Sequence, residues 1–413
     1  MANEDLARYE ERYGLLSVGK AREIVTALSH VLPGEFVDLD GLAGRILVED
    51  VVSTERLPPF PASIVDGYAI DAGDGQTIRT VVGDVLAGDV SDRSLRPGQA
   101  ARIMTGAPLP RGATAAAMFE NVDLMDGKIT IRGRRPRDGE NVRQPGIDID
   151  IGQVVLKAGT QIGPPEIGLL ATLGIGQALV GRRPRVAVLS TGDELVDPGA
   201  MLGPGSIRDS NRFALRVAIE EAGGEVVSLG RVRDDEVEQR AAIVQALGIA
   251  DVLITSGGVS VGSRDLIKPI LEELGQVHFG RIALRPGKPL TFATVGQRLA
   301  FGLPGNPVSA LVTFEIFVRP ALRIMQGCPS PDRPRLPVRV EYSVPRTLDR
   351  TEYQRAIVRW KNGELVARGT GSQASSRLLS LVGANALIEV LPGDENLPAG
   401  SVVPALIIGE IVT

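Results

Sequence analysis

Cysteine is almost missing from this chain of 413 residues. Cys328 stands alone, which excludes an internal disulfide. Histidine is nearly as scarce: His30 and His278 leave too little for a zinc site, so any metal is expected to be held by carboxylates. No stretch is apolar for long enough to span a bilayer, and the N-terminal segment, with Glu4, Asp5, Arg8 and Glu10, lacks the apolar core of a signal peptide. A cytoplasmic location with no membrane partner is expected. The net charge of −5 gives no broad attraction to nucleic acid, and the basic run 132–137 reads as a solvated loop. A dehydrogenase of the dinucleotide-binding kind is excluded, because no G-x-G-x-x-G follows a strand and opens a helix.

Hydrophobic residues make up 43% and charged residues 23%, enough to bury sizeable cores. At roughly 150 residues per domain, the length suggests two to four domains. Val18, Ala21, Ile24, Val25 and Leu28 at helical spacing predict a helix over 17–30, and 38–46 reads as a link into a second helix or turn. Residues 54–139 are expected to be β-rich, with strands over 80–85, 99–104 and 128–132 set off by Pro and Gly. A strand over 154–156, a helix over 165–173 and a boundary near Arg182 follow. Strands over 186–190, 226–229 and 251–255 then alternate with helices over 211–222, 235–247 and 265–274. A last helix, with Asn306 as N-cap and Pro307 in first place, runs to about 325. Alternating strands over 338–344, 355–360 and 386–390 close the chain.

The expected fold is multidomain α/β plus β: a central doubly wound, mainly parallel α/β domain, a β-rich N-terminal insertion domain and a small C-terminal β-barrel-like domain. The expected division is 1–53 with 140–181 as an elongated linker domain, 54–139 as the insertion, 182–328 as the α/β domain and 329–413 as the C-terminal β domain.

The stretch 250–265 is the most informative. An apolar strand ends in Thr255 and Ser256, then in Gly257 and Gly258, with a helical pattern beginning near Asp265. Glycine lets backbone N–H groups approach an anion, and a helix N-terminus adds its positive end. Ser190, Thr191, Gly192, Asp193 and Glu194 stand at one other strand end, Arg233, Asp234 and Asp235 at a second, and Pro304, Gly305 and Asn306 at a third. In a doubly wound sheet such loops converge on the crevice outside the carboxyl ends of the strands. Taken singly, Asp193, Asp234 and Asp235 read as helix caps. As a group beside glycine-rich turns, they suit a Mg²⁺ ion bridging carboxylate and phosphate, since this hard ion prefers oxygen ligands and keeps several waters.

The runs PPFPASIVDGYA, RIMTGAPLP, STGDEL, SNR, RDD, TSGGVSVG, RPGKP and GLPGNPVSA, in this order along nearly the whole chain, resemble the molybdopterin molybdenumtransferase (MoeA) family, whose eukaryotic relative is the gephyrin E domain. The resemblance implies the last step of molybdenum cofactor assembly: adenylylated molybdopterin is bound, AMP is released, and molybdate enters the dithiolene with Mg²⁺. It also implies a homodimer whose cleft lies between the α/β domain of one subunit and the β-rich domain of the other, and onward transfer to molybdoenzymes or other cofactor-assembly proteins.

Carried over position by position, it implies catalytic roles for Asp66, Thr105, Asp148, Glu194, Asp234 and Asp265, with Asp66 and Glu194 also on the metal. Arg143, Ser190, Thr191, Gly192, Ser256, Gly257, Gly258, Arg281, Arg285, Lys288, Pro304, Gly305, Asn306, Arg355 and Ser375 are the implied substrate contacts. Carboxylates accept bonds from pterin N–H groups, and cations pair with phosphate or molybdate. Taken alone, Arg281 is equally an ordinary exposed strand residue.

The chain departs from the family pattern at Ala62, Ser63, Ile64 and Val65, at Ile147 before Asp148, and at Ser263 and Arg264 before Asp265. An adenylyltransferase-like enzyme or a non-catalytic molybdopterin carrier or scaffold are the alternatives. The β-rich insertion and the C-terminal β domain argue against the first, and Ile147 and Arg264 motivate the second.

Overall fold

The computed structural model describes residues 14–86, 88, 94–258 and 266–412. They form two compact units: the described parts of Met1–Val48, Gly159–Gly163 and Gln177–Thr413, and the described parts of Glu49–Ala158 and Pro164–Gly176. No helix among the described residues is long and apolar enough to cross a membrane.

The first unit opens with α1 (Val18–Leu28), whose Ser17 hydroxyl caps the Lys20 N–H, and with β1 (Gly34–Asp38). The expected second helix or turn at 38–46 is a single short 3-10 turn, Leu39–Gly41. The chain then enters the second unit. Its six-stranded mixed sheet is built from β2 (Gly67–Ile70), β3 (Ile78–Val85), β4 (Gln99–Ile103), β5 (Ala115–Met118), β6 (Val122–Met125) and β7 (Lys128–Ile131), in the order β5-β2-β4-β3-β7-β6. Alternation decides which face each residue serves: Tyr68 and Ile70 bury on one side, Ala69 on the other. Both faces therefore carry apolar clusters, and α2 (Pro164–Thr172) completes this unit.

The chain returns to the first unit with β8 (Gln177–Gly181), which pairs antiparallel with β1. The α/β layer follows: β9 (Arg185–Thr191), α3 (Asn211–Glu221), β10 (Glu225–Val232), α4 (Glu236–Ile249), β11 (Val252–Ser256), α5 (Ile267–Leu274), β12 (Gln276–Phe279), β13 (Thr291–Val295) and β14 (Arg298–Leu303). The sheet order is β10-β9-β11-β14-β13-β12, with the first three pairings parallel and the last two antiparallel. Strands buried on both faces need continuous apolar runs, and Val186–Leu189 and Val252–Ile254 supply them. Leu215 and Ile219 of α3 pack on one face; Ile243 and Leu247 of α4, with Ile267, Ile270 and Leu271 of α5, pack on the other. This is the doubly wound arrangement.

The last helix does not run through unbroken. It comprises α6 (Pro307–Thr313), a π-helical turn over Phe314–Val318 and α7 (Arg319–Met325). Beyond it, β15 (Arg335–Val340), β16 (Thr351–Lys361), β17 (Glu364–Gly369), β18 (Ala386–Val390) and β19 (Val402–Ile407) pair in the order β16-β17-β15-β19-β18. Strand β18 pairs back onto β16, which closes the five into a barrel filled by Val338, Val358, Ile388 and Ala405. A short strand, Leu284–Arg285, adds to the first residues of β16.

Candidate active site

In the α/β unit, the strand ends are drawn together by close backbone approaches that only glycine permits. Gly257 and Gly258, just past β11, have φ of +93° and +65°. A Cβ on Gly257 would lie 2.6 Å from the Thr191 carbonyl oxygen, and one on Gly258 would lie 2.8 Å from Thr191 Oγ1. The loops after β9 and β11 therefore touch main chain to main chain. The Gly257 N–H donates to the Leu303 carbonyl at 3.1 Å, which adds the end of β14 to the group.

Asn211, the first residue of α3, ties the same loops from the side. Its Nδ2 donates to Ser256 Oγ at 2.8 Å and to the Gly305 carbonyl at 2.7 Å. The SNR run contains this residue, but its role was not legible, because both partners are remote in sequence. Replacing Asn211 by Ala strips the donor from the buried Ser256 hydroxyl and from the Gly305 carbonyl. A loss of about 1–3 kcal/mol in stability is expected, from two abandoned acceptors, together with a fall in activity. Thermal denaturation and turnover of the Asn211→Ala protein check this; an unchanged melting point would remove Asn211 as the organiser.

Ser190 and Thr191 are buried, and their hydroxyl oxygens have no hydrogen-bond partner among the described residues. Unpartnered buried hydroxyls at a strand end are costly unless a ligand or water meets them. Gly192 turns the chain at φ +145°, and a Cβ there would lie 2.6 Å from Glu194 Oε2. Glycine thus lets the exposed Glu194 carboxylate fold back over the turn. Asp193 accepts from the Asp234 N–H at 3.3 Å, linking this loop to the one after β10. That second turn is propped by the buried Gln239, which donates to the Arg233 carbonyl at 3.0 Å and to Asp234 Oδ1 at 3.4 Å. Asp235 is a helix cap, its side chain accepting from the Glu238 N–H at 2.9 Å. Asp265 and Arg264 lie outside the described residues.

Asn306 sits at the N-cap position of α6, yet its side chain makes no capping bond. Its Nδ2 donates instead to Ser375 Oγ at 3.0 Å, and the Val308 N–H donates to the Ser375 carbonyl at 3.2 Å. Arg355 is 0% exposed. It donates from Nε to Ser380 Oγ at 3.1 Å and from Nη2 to the Ala374 carbonyl at 3.2 Å, and so shapes the loop that presents Ser375. Burial first, with Arg285 nearby, pulls its guanidinium down to about 10 despite the neighbouring Glu352.

The basic candidates form a separate turn. The Ile282 N–H donates to the Lys288 carbonyl at 2.9 Å, which folds 281–288 back on itself. A Cβ on Gly287 would lie 2.5 Å from Thr313 Cγ2, so the turn packs against α6. Arg281 is buried, contrary to the exposed-strand alternative, while Arg285 is half-exposed and 3.6 Å from the buried Glu352 carboxylate. Lys288 is half-buried and Pro304 buried.

The β-rich unit carries the remaining candidates as two pairs. Asp66 is exposed; its Oδ1 accepts from the Thr105 N–H at 2.8 Å and the Thr105 hydroxyl at 3.0 Å. The Thr105 N–H and then its hydroxyl, with Arg102 adding attraction, hold this carboxyl below the usual carboxylate range. Arg143 and Asp148 form an ion pair at 2.5 Å, both sides partly exposed. Arg143 can reach an anion only by sharing itself with Asp148, a modest barrier at a wet surface. The two-residue strand Ala62–Ser63 joins the pairs: Ala62 is in register with Arg143, and Ser63 accepts from the Gly106 N–H at 2.8 Å. The family departures Ile64 and Ile147 are both exposed beside these pairs.

Three family models match successive parts of the chain: the MoeA N-terminal region (domain I and II) over residues 16–174, a probable molybdopterin binding domain over 187–324, and the MoeA C-terminal region (domain IV) over 337–408. The chain is 38% identical over 395 residues to the molybdopterin molybdenumtransferase of Haemophilus influenzae, covering 94% of this chain and 98% of that protein. It is 36% identical over 387 residues to that of Bacillus subtilis, covering 91% and 90%. The crystal structure of the molybdopterin biosynthesis MoeA protein from Pyrococcus horikosii is 34% identical and superposes with a TM-score of 0.83, covering 96% of this chain and all of that one.

Proposed function

Because this chain belongs to the MoeA family of molybdopterin molybdenumtransferases, we propose that it inserts molybdate into adenylylated molybdopterin with release of AMP. The observation that carries the reading is the convergence of the strand ends in the α/β unit. Asn211 holds Ser256 and Gly305 together, Gly257 and Gly258 lie against Thr191, and two buried hydroxyls face no partner among the described residues. Backbone N–H groups and hydroxyls of this sort grip phosphate oxygens while leaving the pyrophosphate bond open to water.

Among the described residues, no three His, Cys, Asp or Glu side chains gather into a metal cage. Mg²⁺ keeps several waters and is commonly held by one or two carboxylates plus the phosphates of a substrate. Asp66, whose Oδ2 takes no hydrogen bond from a described residue, and the exposed Glu194 would hold it. When bound, the ion neutralises charge on the pyrophosphate. Asn306 and Ser375 orient the substrate, and Arg285 and Lys288 attract molybdate as an anion. The homodimer, with a cleft shared between the α/β unit of one subunit and the β-rich unit of its partner, and delivery to a molybdoenzyme belong to the same proposal.

The test is AMP release from adenylylated molybdopterin by the purified protein with Mg²⁺, with and without molybdate. Molybdate-dependent release is expected. Tight binding without release would overturn the transferase reading in favour of a carrier.

A further inference from the structure

One face of the β-rich sheet holds a cavity that none of the roles above uses. Tyr68 on β2 lies directly opposite Arg102 on β4, and Asp84 on β3 is in register with Arg102 from the other side. Strand β3 is irregular between Val81 and Asp84, with Gly83 at φ +152° in the bulge. The missing side chain and the local bend open the sheet surface into a cavity of about 560 Å³, walled by Tyr68, Phe119, Arg102, Asp84 and Leu124. That volume is within the range of about 300–1,000 Å³ common for small-ligand pockets.

The chemistry of the walls is specific. The Tyr68 and Phe119 rings meet edge to face with centroids 5.3 Å apart, and the Arg102 guanidinium lies 5.3 Å from the Phe119 centroid. Asp84 neighbours Arg102 in the sheet, yet the two form no ion pair, because the guanidinium is drawn over the ring. The exposed Asp84 carboxylate makes no hydrogen bond or ion pair with any described residue. A flat cationic and aromatic wall faces an acceptor-only group. The complement is a planar bicyclic heterocycle whose edge carries adjacent N–H donors.

We propose that this cavity is a pterin subsite, with the ring stacked against Arg102 and Phe119 and the amino and ring N–H edge donating to Asp84. The inference rests on the reading of the substrate as a pterin dithiolene. It also gives the neighbouring Asp66 a place beside the substrate, since the Phe119 N–H donates to the Asp66 carbonyl at 3.1 Å.

The test is a fluorescence titration of the full chain with neopterin, a soluble pterin, comparing the wild type with Asp84→Asn and using AMP as competitor. Saturable quenching is expected, weakened by about tenfold or more in Asp84→Asn through loss of charge-assisted hydrogen bonds, and not relieved by AMP. Equal affinity in the two proteins, absence of saturable quenching, or displacement by AMP would each overturn the pterin assignment, the last making this an adenine pocket. None of these readouts needs molybdate or turnover. A wild type that binds neopterin through Asp84 but releases no AMP would therefore sink the transferase reading and leave the subsite standing.

Discussion

Asp66→Asn is expected to lower molybdate-dependent AMP release by about a hundredfold to a thousandfold, the scale of removing one charged or donor group from a polar catalytic site. Asparagine keeps an Oδ1 that can still accept from the Thr105 N–H and hydroxyl, so the Thr105 turn is retained and the charge alone is removed. Thr105→Ala should do less harm, because the backbone N–H remains. The sign of the pH dependence follows from the same bonds. The folded carboxyl titrates below its unfolded value, so its interaction with Thr105 is present above the unfolded pKa and is lost as pH falls through the lower, folded one. No acid limb of activity near neutrality should arise from Asp66. Chromatographic assay of AMP and a circular-dichroism melt check the pair of expectations; near-wild-type release by Asp66→Asn would remove this residue from the machinery. In the proposed dimer, mixing Asp66→Asn with Glu194→Gln should restore part of the activity. No recovery after demonstrated subunit exchange would place each site within one chain.

The largest effect on stability is expected from Arg79→Leu. Arg79 and Asp74 form an ion pair at 2.7 Å with side-chain exposures of 1% and 0%. Asp74 also accepts from the Gln76 N–H and the Gly98 N–H, both at 2.9 Å. Burial by itself would raise the Asp74 carboxyl, but those two N–H groups and Arg79 outweigh it and hold the group below the usual range. Removing Arg79 leaves an uncompensated buried charge, at a cost of about 3–5 kcal/mol. The Asp74 pKa must then rise. Stability from a depressed carboxyl is present above the unfolded pKa and lost as pH falls through the folded value, so acid unfolding of the variant begins at higher pH than in the wild type. Hydrogen exchange in β2 to β7 reads the effect where it occurs. Trp360, the single tryptophan, lies in β16 and serves as an internal control that should not shift. A loss under about 1 kcal/mol would mean that the site relaxes or hydrates without Arg79.

What the sequence displayed and what it hid follow one physical division. Local patterns carried the helices α1, α3 and α4 to within two or three residues at each end, since their caps and apolar stripes are written in consecutive positions. Asp235, followed three residues later by Glu238, is a cap whose partner lies within one turn. The π turn over Phe314–Val318 was illegible, because its residues are as apolar as those of the helix on either side and only packing selects the wider turn. The antiparallel hairpin of β13 and β14 was illegible too. In the site, glycine turns were legible from composition, whereas Asn211, Gln239 and Arg355 act through partners that periodicity does not connect to them. Arg355 illustrates the difference: a motif singles out the residue, and only the fold shows it buried behind the loop that carries Ser375.

Strand β16 belongs to two neighbourhoods at once. Most of its length forms the barrel wall, but Thr351 and Glu352 pair with Leu284 and Arg285, the backbone that leads into the basic turn. Modularity along the gene is therefore not modularity in the fold. A C-terminal barrel borrowed from a relative by recombination after α7 would carry its own strand geometry into the Arg285 turn. A shift in the first residues of β16 therefore moves the Arg285 turn with it.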